Sequence, residues 1–151
     1  MPVFREEPYG AFNFQVEFLD VGIEGDTVRG GFSEVSGLNT EVATVEYRNG
    51  NDRALSPRRL PGLVTYTDVT LKRGVIGDLT LYQWIQQSVQ GSAQRADGRI
   101  QLLDESRQVV MSWRIRNAWP IRFKGPDLNG AASAIAIEEL VLAHDGLEIE
   151  T

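Results

Sequence analysis

The clearest pattern in this chain is an alternation of apolar and polar side chains over residues 109–123. Odd-numbered positions are mostly apolar, whereas even-numbered positions are more often polar, which is the period of a half-buried β-strand. Pro120 interrupts the pattern because it has no N–H to donate to a neighbouring strand. We therefore expect two strand segments joined at a kink between Asn117 and Pro120.

Shorter stretches show the same alternation and predict further strands. They lie at residues 12–18, 32–35, 43–47, 69–71 and 99–103, and the last of these is expected to form a hairpin with the strand that begins at Val109. Residues 134–143 are apolar at most positions, which predicts a central strand covered on both faces.

One helix is predicted over residues 78–90. Asp78 is a suitable N-cap and Gly91 a suitable stop, and Leu81, Ile85 and Val89 form an apolar stripe between them. One helix among several antiparallel strands indicates a mainly β fold, a β-barrel or sandwich with the helix packed on it, in a single domain over residues 1–151. The predicted core residues are Phe14, Phe18, Ile85, Trp113, Ile115, Trp119 and Ile137.

A long polar connection separates two of the predicted strands, at residues 48–62. Connections in compact domains are usually about 4–6 residues long, and longer ones tend to carry function. This one contains the pair Arg58 and Arg59, with Leu60 between Pro57 and Pro61. Since the chain shows no catalytic groups nearby, the loop is expected to contact another protein.

Composition narrows the class of protein. The 151 residues, 42% of them hydrophobic, are enough for one globular core. The net charge of −6 argues against a general nucleic-acid binder, and the absence of cysteine excludes disulfides and thiolate metal sites. No apolar run is long enough for a membrane span, and no signal peptide is recognisable at the N-terminus. We expect synthesis in a bacterial cytoplasm without a membrane anchor.

Candidate chemistry is sparse. His144 is the only histidine, too few for a zinc site, and it is read as a strand-end residue beside a turn. Adjacent acidic pairs point to opposite sides of a strand, so they do not form a facing acid–base pair. Residues 20–26 lack the alternating ligands of a calcium loop. We therefore expect no enzyme activity, no metal and no cofactor.

The sequence leaves the roles of a basic row and of three aromatic residues open. A basic row on one strand could meet an anionic partner or line a channel, but pairing with acids such as Glu138 or Glu139 on neighbouring strands is favoured. A β-barrel module that binds a small apolar ligand or glycan remains the second hypothesis, with Trp113, Trp119 and Phe123 as candidate pocket residues. The basic row consists of Arg114, Arg116, Arg122 and Lys124.

Seven short motifs in a fixed order resemble one protein family. They are PYGAFNF at 8–14, GFSEVSGL at 31–38, VEYR at 45–48, RLPG at 59–62, LKRG at 71–74, NAWP at 117–120 and ELVLAHDGL at 139–147. In this order they resemble the tail tube proteins of contractile-tailed phages, and above all the inner tube proteins of phage-tail-like extracellular contractile injection systems. The resemblance extends over nearly the whole chain.

The resemblance implies a β-barrel-like fold shared with the secreted tube protein of type VI secretion. It implies hexameric rings stacked into a hollow tube within a sheath, with baseplate and tube-initiator or cap proteins as further partners. Cargo protein or DNA would pass along the lumen without specific binding, in a phage tail or an extracellular phage-tail-like particle. Ring-to-ring contacts would involve an N-terminal segment at residues 1–12 and the loop at 48–62. The contact residues expected there are Phe4, Tyr9, Arg48, Asn51, Asp52, Pro57, Arg58, Arg59, Leu60 and Pro61.

Overall fold

A computed structural model describes residues 2–19, 27–92 and 94–151, with the backbone alone described at 27–30. Met1, the first residue of the predicted N-terminal segment, and the 20–26 stretch lie outside the described residues. The described part contains ten strands and one helix. In chain order they are β1 (Phe14–Leu19), β2 (Thr27–Gly30), β3 (Glu34–Ser36), β4 (Thr40–Tyr47), β5 (Arg58–Tyr66), β6 (Val69–Gly74), α1 (Thr80–Val89), β7 (Ala96–Leu103), β8 (Val109–Lys124), β9 (Ile137–Ala143) and β10 (Gly146–Ile149).

An eight-stranded antiparallel sheet forms the body of the protein. Its strand order is β2-β1-β7-β8-β9-β6-β3, and β10 pairs with β8 beside this path. The sheet is not closed into a barrel, and the predicted mainly β fold with one packed helix is confirmed. Strands β4 and β5 pair only with each other and form a separate two-stranded sheet.

Strand β8 joins the two halves of the body sheet. Its first part pairs with β7 and β10, and its second part pairs with β9. Between them, Asn117 has a positive φ of 52°, and its backbone N–H donates to the Asp97 carboxylate at 3.0 Å. The register also shifts between Pro120 and Arg122. The predicted kink between Asn117 and Pro120 is therefore confirmed.

Side chains on both faces of β8 are buried. Val110, Ser112, Ala118 and Pro120 are buried at even positions, whereas Ile115 is buried at an odd one. The prediction of one continuous apolar face at odd positions is therefore wrong, because Val110 and Ser112 are buried on the face opposite Ile115 before the kink is reached.

The core lies between the body sheet and α1. Phe18, Trp84 and Ile115 are fully buried, and the Phe18 and Trp84 rings lie 5.4 Å apart. Gly98 is required opposite Phe18, since a Cβ there would lie 2.2 Å from the phenyl ring. Among the predicted core residues, Phe14, Ile85 and Trp113 are partly buried against this cluster.

Two predicted core residues lie elsewhere. Trp119 is half-buried, with the Arg95 guanidinium 4.3 Å from its ring centroid. Ile137 is 40% exposed, so its placement in the core is wrong. It begins β9, which starts later than the predicted strand at 134–143, and the exposed residues 134–135 precede it. Strand β9 is central, but its second face is only half-covered.

Helix α1 begins two residues later than predicted. The N-cap position is Leu79, which makes no side-chain cap, but the Asp78 carboxylate accepts the Thr80 N–H at 3.0 Å. The helix ends at Val89, and Gly91, two residues later, has a φ of +84°. The N–H groups of Gly91 and Ser92 donate to the carbonyls of Ser88 and Gln87, which satisfies the orphan groups of the last turn.

A buried arginine ties this helix start to the sheet. Arg73 on β6 is 2% exposed and its Nε lies 2.5 Å from a Glu138 oxygen on β9. It also donates to the Asp78 carbonyl at 3.0 Å. Burial raises the pKa of Asp78, but the Thr80 N–H and the Arg73 charge outweigh this and hold that pKa below its ordinary value. Removing Arg73 would leave the Glu138 carboxylate buried without its cation, which costs about 3–5 kcal/mol.

Candidate functional site

The predicted loop at 48–62 is in fact the outer part of a β-ribbon. Residues 58–62 belong to β5, which pairs with β4 from Thr40↔Tyr66 to Tyr47↔Arg58, so only residues 48–57 form a connection. The loop prediction is wrong at its second half, because Pro61 and Gly62 are tolerated where the strand bulges. We call residues 40–66 the arm.

The arm is exposed along its whole length. Every residue of β4 is exposed, and β5 has only two half-buried positions. At ~3.3 Å per residue, the eight residues of β4 extend about 25 Å. A lone two-stranded ribbon is marginally stable in water, and each of its strands leaves one edge unpaired. The arm therefore has the properties of an element that is completed by another chain.

A β-bulge arranges apolar side chains on the arm. Val42 faces Val64 and Thr44 faces Pro61, so Ala43 is opposite two residues, Gly62 and Leu63. Beyond the bulge Val45 pairs with Leu60. The large apolar side chains left exposed on the arm are Val42, Val45, Tyr47, Leu55, Leu60, Leu63 and Val64.

The tip of the arm is held by its own hydrogen bonds. The Arg48 side chain donates to the carbonyls of Asp52 and Ala54, each at 3.0 Å. The Asp52 carboxylate accepts the Asn49 N–H at 2.9 Å and lies 3.4 Å from Arg58. Arg48 and Asp52, both predicted as contact residues, are thus half-buried organisers of the turn.

The other predicted loop residues point outward. Asn51, Pro57, Arg58, Arg59, Leu60 and Pro61 are exposed. Leu55, at 86% exposure, was not among the predicted contacts. Leu63 and Val64 are further exposed apolar residues of the arm that the loop prediction did not include.

The root of the arm is fixed to the body. Thr67 follows β5, and its hydroxyl donates to the Gly37 carbonyl at 2.8 Å. Gly37 has a φ of +91° and lies so close to Asp68 that a Cβ would be 2.0 Å from its carbonyl oxygen. His144 Nε2 donates to the Thr67 carbonyl at 2.9 Å, beside the Tyr66 ring. The histidine thus braces the arm root.

The described part of the N-terminal segment, residues 2–12, folds back onto the turn between β7 and β8. Arg5 donates to both carboxylate oxygens of Glu105 at 2.8 and 3.0 Å, and to the carbonyls of Glu7 and Pro8. Its guanidinium lies 3.9 Å from the centroid of the Tyr9 ring. The Arg5 side chain lowers the pKa of Glu105 to about 2, because its hydrogen bonds and charge favour the carboxylate.

This clamp leaves an aromatic residue in solvent. Tyr9 is half-buried and donates its hydroxyl to the Val3 carbonyl at 2.8 Å. Phe4 is 91% exposed, and Phe12 is also exposed. Two predicted contact groups therefore exist as separate surfaces, the arm and the N-terminal segment, and the structure does not bring them together within one chain.

The described residues were compared with what a ligand pocket or a metal site would require. Two clefts of about 460 and 360 Å³ are present, and neither is lined by Trp113, Trp119 or Phe123. In the described ranges no group of acidic or histidine side chains has the arrangement of a metal site.

One member of the predicted basic row has an acidic partner, since Arg114 lies 3.6 Å from Asp97. Glu138, expected to pair with that row, pairs with Arg73 instead.

The family model for the T4-like virus tail tube protein gp19 matches residues 10–148. This chain belongs to that tail tube family. It is a structural tube subunit of the kind found in contractile injection systems and phage tails, as the motif order predicts. Within the described ranges, no helix has both the length and the apolar character that crossing a membrane requires.

Solved structures support the same fold. A chain in the sheath–tube complex of the extracellular contractile injection system PVC, in its extended state, is 27% identical with a TM-score of 0.83; the match covers 96% of this chain and 93% of that one. A chain in the tube-terminating cap of the anti-feeding prophage is 26% identical with a TM-score of 0.83, covering 100% and 96%.

A third structure extends the likeness to a more distant system. A type six secretion system protein has a TM-score of 0.60 at 9% identity, covering 92% of this tube protein and 83% of that chain. This likeness shows the fold alone, and it confirms the predicted relation of the folds. No curated protein sequence matches the chain significantly.

Proposed function

We propose that this tube protein assembles into hexameric rings, which stack into a hollow tube inside a contractile sheath. The tube would serve as a conduit for protein or DNA cargo, without catalysis and without specific recognition of that cargo. The observation that carries the proposal is the arm, a two-stranded ribbon exposed on both faces and both edges. Similar chains come from a sheath–tube complex and a tube-terminating cap, which supports sheath and cap proteins as partners.

The arm is proposed as a contact between stacked rings. Each ring would repeat the contact once per subunit, so a modest contact per subunit would suffice through multivalency. The internal hydrogen bonds of the tip and the fixed root lower the conformational entropy lost on docking. The N-terminal segment is proposed as a second contact surface, since the Arg5 clamp orders it while leaving Phe4 exposed.

Electron microscopy of the purified protein, with sheath and baseplate proteins added, tests this function. We expect rings or tubes with the wild-type chain, and weaker stacking when Arg58 and Arg59 are both replaced by glutamate. Circular dichroism should show that the variant remains folded, because the arm is separate from the core. A wild-type chain that stays monomeric at high concentration with these partners would refute the proposal.

A further inference from the structure

We propose that Asn129 is a site of spontaneous deamidation in the folded protein, whereas hydrogen bonds at the arm tip protect Asn49 from the same reaction. The chain contains two Asn-Gly pairs, Asn49-Gly50 and Asn129-Gly130. Glycine has no side chain to hinder the approach of its own nitrogen to the preceding side chain, so asparagine is most open to this reaction before glycine. The inference concerns the chemistry of the single chain and does not rest on tube assembly.

The reaction requires only the protein and water. The Gly130 backbone nitrogen loses its proton to hydroxide and bonds to Asn129 Cγ. The Cγ–Nδ2 bond then breaks, and ammonia leaves with a proton taken from water. The resulting five-membered succinimide adds water at one of its two carbonyls. Opening at the side-chain carbonyl gives aspartate, and opening at the main-chain carbonyl gives isoaspartate, in which the chain continues through Cγ.

Asn129 lies in an exposed turn outside the regular secondary structure. Its side-chain oxygen accepts the Ala131 N–H at 3.0 Å, and its carbonyl accepts the Ala132 N–H at 3.1 Å. The side-chain bond folds the amide back over the following peptide group, which is where the Gly130 nitrogen lies. All four residues are exposed, and nothing lies within 4 Å of a Cβ placed on Gly130. Water can therefore replace both hydrogen bonds when the ring closes.

Asn49 has the same neighbour but is held in place. Its side-chain oxygen accepts the Tyr47 hydroxyl, its N–H donates to the Asp52 carboxylate at 2.9 Å, and its carbonyl accepts the Asp52 N–H at 3.1 Å. Arg48 closes the same turn by donating to two carbonyls of the tip. Asn49 is also half-buried. Its side chain must leave Tyr47 before Cγ can reach the Gly50 nitrogen.

The difference in restraint sets the expected ratio of the two rates. Three hydrogen bonds of the Asn49 turn have no counterpart at Asn129 in the described part of the chain: the one from the Asn49 N–H and the two from Arg48. A typical hydrogen bond shifts a local opening equilibrium about fivefold. Since ring closure requires local opening but not loss of every bond, we expect Asn129 to react about tenfold faster or more.

Conversion at Asn129 changes a surface segment and leaves the core intact. A new carboxylate adds one negative charge to the net −6, giving −7. Isoaspartate also adds one carbon atom to the main chain, which moves the Ala131 and Ala132 N–H groups away from their acceptors. Residues 125–136 supply Asp127 and Ile135 to one wall of the cleft of about 460 Å³. The shape and charge of this wall should therefore change as the protein ages.

Peptide mapping by mass spectrometry separates the two sites. Tryptic cleavage after Lys124 releases residues 125–151, in which Asn129 is the only side-chain amide. Cleavage at Arg48 and Arg53 releases residues 49–53, and fragment ions distinguish Asn49 from Asn51 within that peptide. Each site is therefore followed in the same digest.

Folded wild-type protein is incubated at neutral pH beside a sample held in denaturant. In denaturant we expect the two sites to react at similar rates, because the hydrogen bonds of both turns are lost. In the folded protein Asn129 should stay close to its denatured rate, whereas Asn49 should slow about tenfold or more. A folded-state rate at Asn129 no faster than that at Asn49 would overturn the proposal.

Three variants test the assignment. Tyr47→Phe removes one restraint and should raise the folded-state rate at Asn49 about fivefold. Gly130→Ala and Gly50→Ala are matched controls, since nothing lies within 4 Å of a Cβ at either glycine. Each should slow the reaction at its own site only, because the added methyl hinders ring closure.

Two further results would contradict the proposal. An unchanged Asn49 rate in Tyr47→Phe would overturn the protection by the tip. A circular dichroism melt showing that the incubated wild-type protein had partly unfolded would mean that Asn129 reacts in the unfolded chain, and would overturn the native site.

Discussion

At the scale of single residues, the Arg5 side chain holds the N-terminal segment against the body of the protein. It is half-buried between the N-terminal segment and the β7–β8 turn, and it satisfies Glu105, two backbone carbonyls and the face of Tyr9 at once. The segment has no regular secondary structure, so its shape depends on this clamp. The exposure of Phe4 is a consequence of that shape.

The clamp should persist in mild acid. The pKa of Glu105 is about 2 against an ordinary 4.5, chiefly because of the hydrogen bonds from Arg5. A lowered carboxyl pKa means that the clamp's contribution to stability is complete above about 4.5 and is lost as the pH falls through about 2.

We therefore expect the Glu105 carboxyl carbon, followed by NMR, to report an ionised group at pH 4.5, whereas in an Arg5→Gln variant it should be about half protonated there. A wild-type midpoint near the ordinary value would show that the clamp does not hold the segment in solution.

At the scale of elements, the arm depends on the bulge at Gly62. A Cβ there would lie 3.0 Å from the Ala43 carbonyl oxygen and 3.1 Å from Val45 Cγ2. The close approach keeps the two strands paired where the register shifts, and beyond it Val45 faces Leu60. The outer half of the arm is therefore oriented by one glycine.

Replacing Gly62 with valine should separate the strands at the bulge and reduce tube assembly. The melting temperature of the body should change little, because β4 and β5 pair with no strand of the body sheet. Pelleting and a circular dichroism melt on the same sample measure both effects. Gly130→Val is the matched control, since nothing lies within 4 Å of a Cβ at that exposed position. Tubes from Gly62→Val at the control's yield would show that the bulge does not matter for assembly.

The sequence predicted those elements in which apolar residues recur at a regular spacing and capping or turn residues mark the ends. The kink in β8, the helix between Asp78 and Gly91 and the β7–β8 hairpin follow from alternation, caps and turn residues, and they agree with the structure within a few residues. Strand β5 was not predictable in this way, because Pro57, Pro61 and Gly62 are typical loop residues and its pairing needs a bulge.

The exposure of the predicted contact residues followed from the sequence only in part. Arg58 and Arg59 are exposed as expected, yet nothing in a linear pattern shows that Arg48 and Asp52 close the turn by hydrogen bonding. Likewise, the exposure of Ile137 depends on where β9 begins, which the apolar run at 134–143 does not reveal.

At the scale of the whole molecule, this tube protein divides into a rigid body and two projecting surfaces. The body has a buried core and a buried ion pair, whereas the arm and the N-terminal segment bury little within the chain. A net charge of −6 opposes premature association of the subunits. The division matches a subunit that folds alone and is completed by assembly.

A reconstruction of the assembled tube by electron cryomicroscopy tests this account most directly. We expect the reconstruction to show hexameric rings in which the arm, residues 40–66, is buried against a subunit of the adjacent ring. A tube in which the arm of every subunit remains in solvent, or contacts no neighbouring ring, would contradict it.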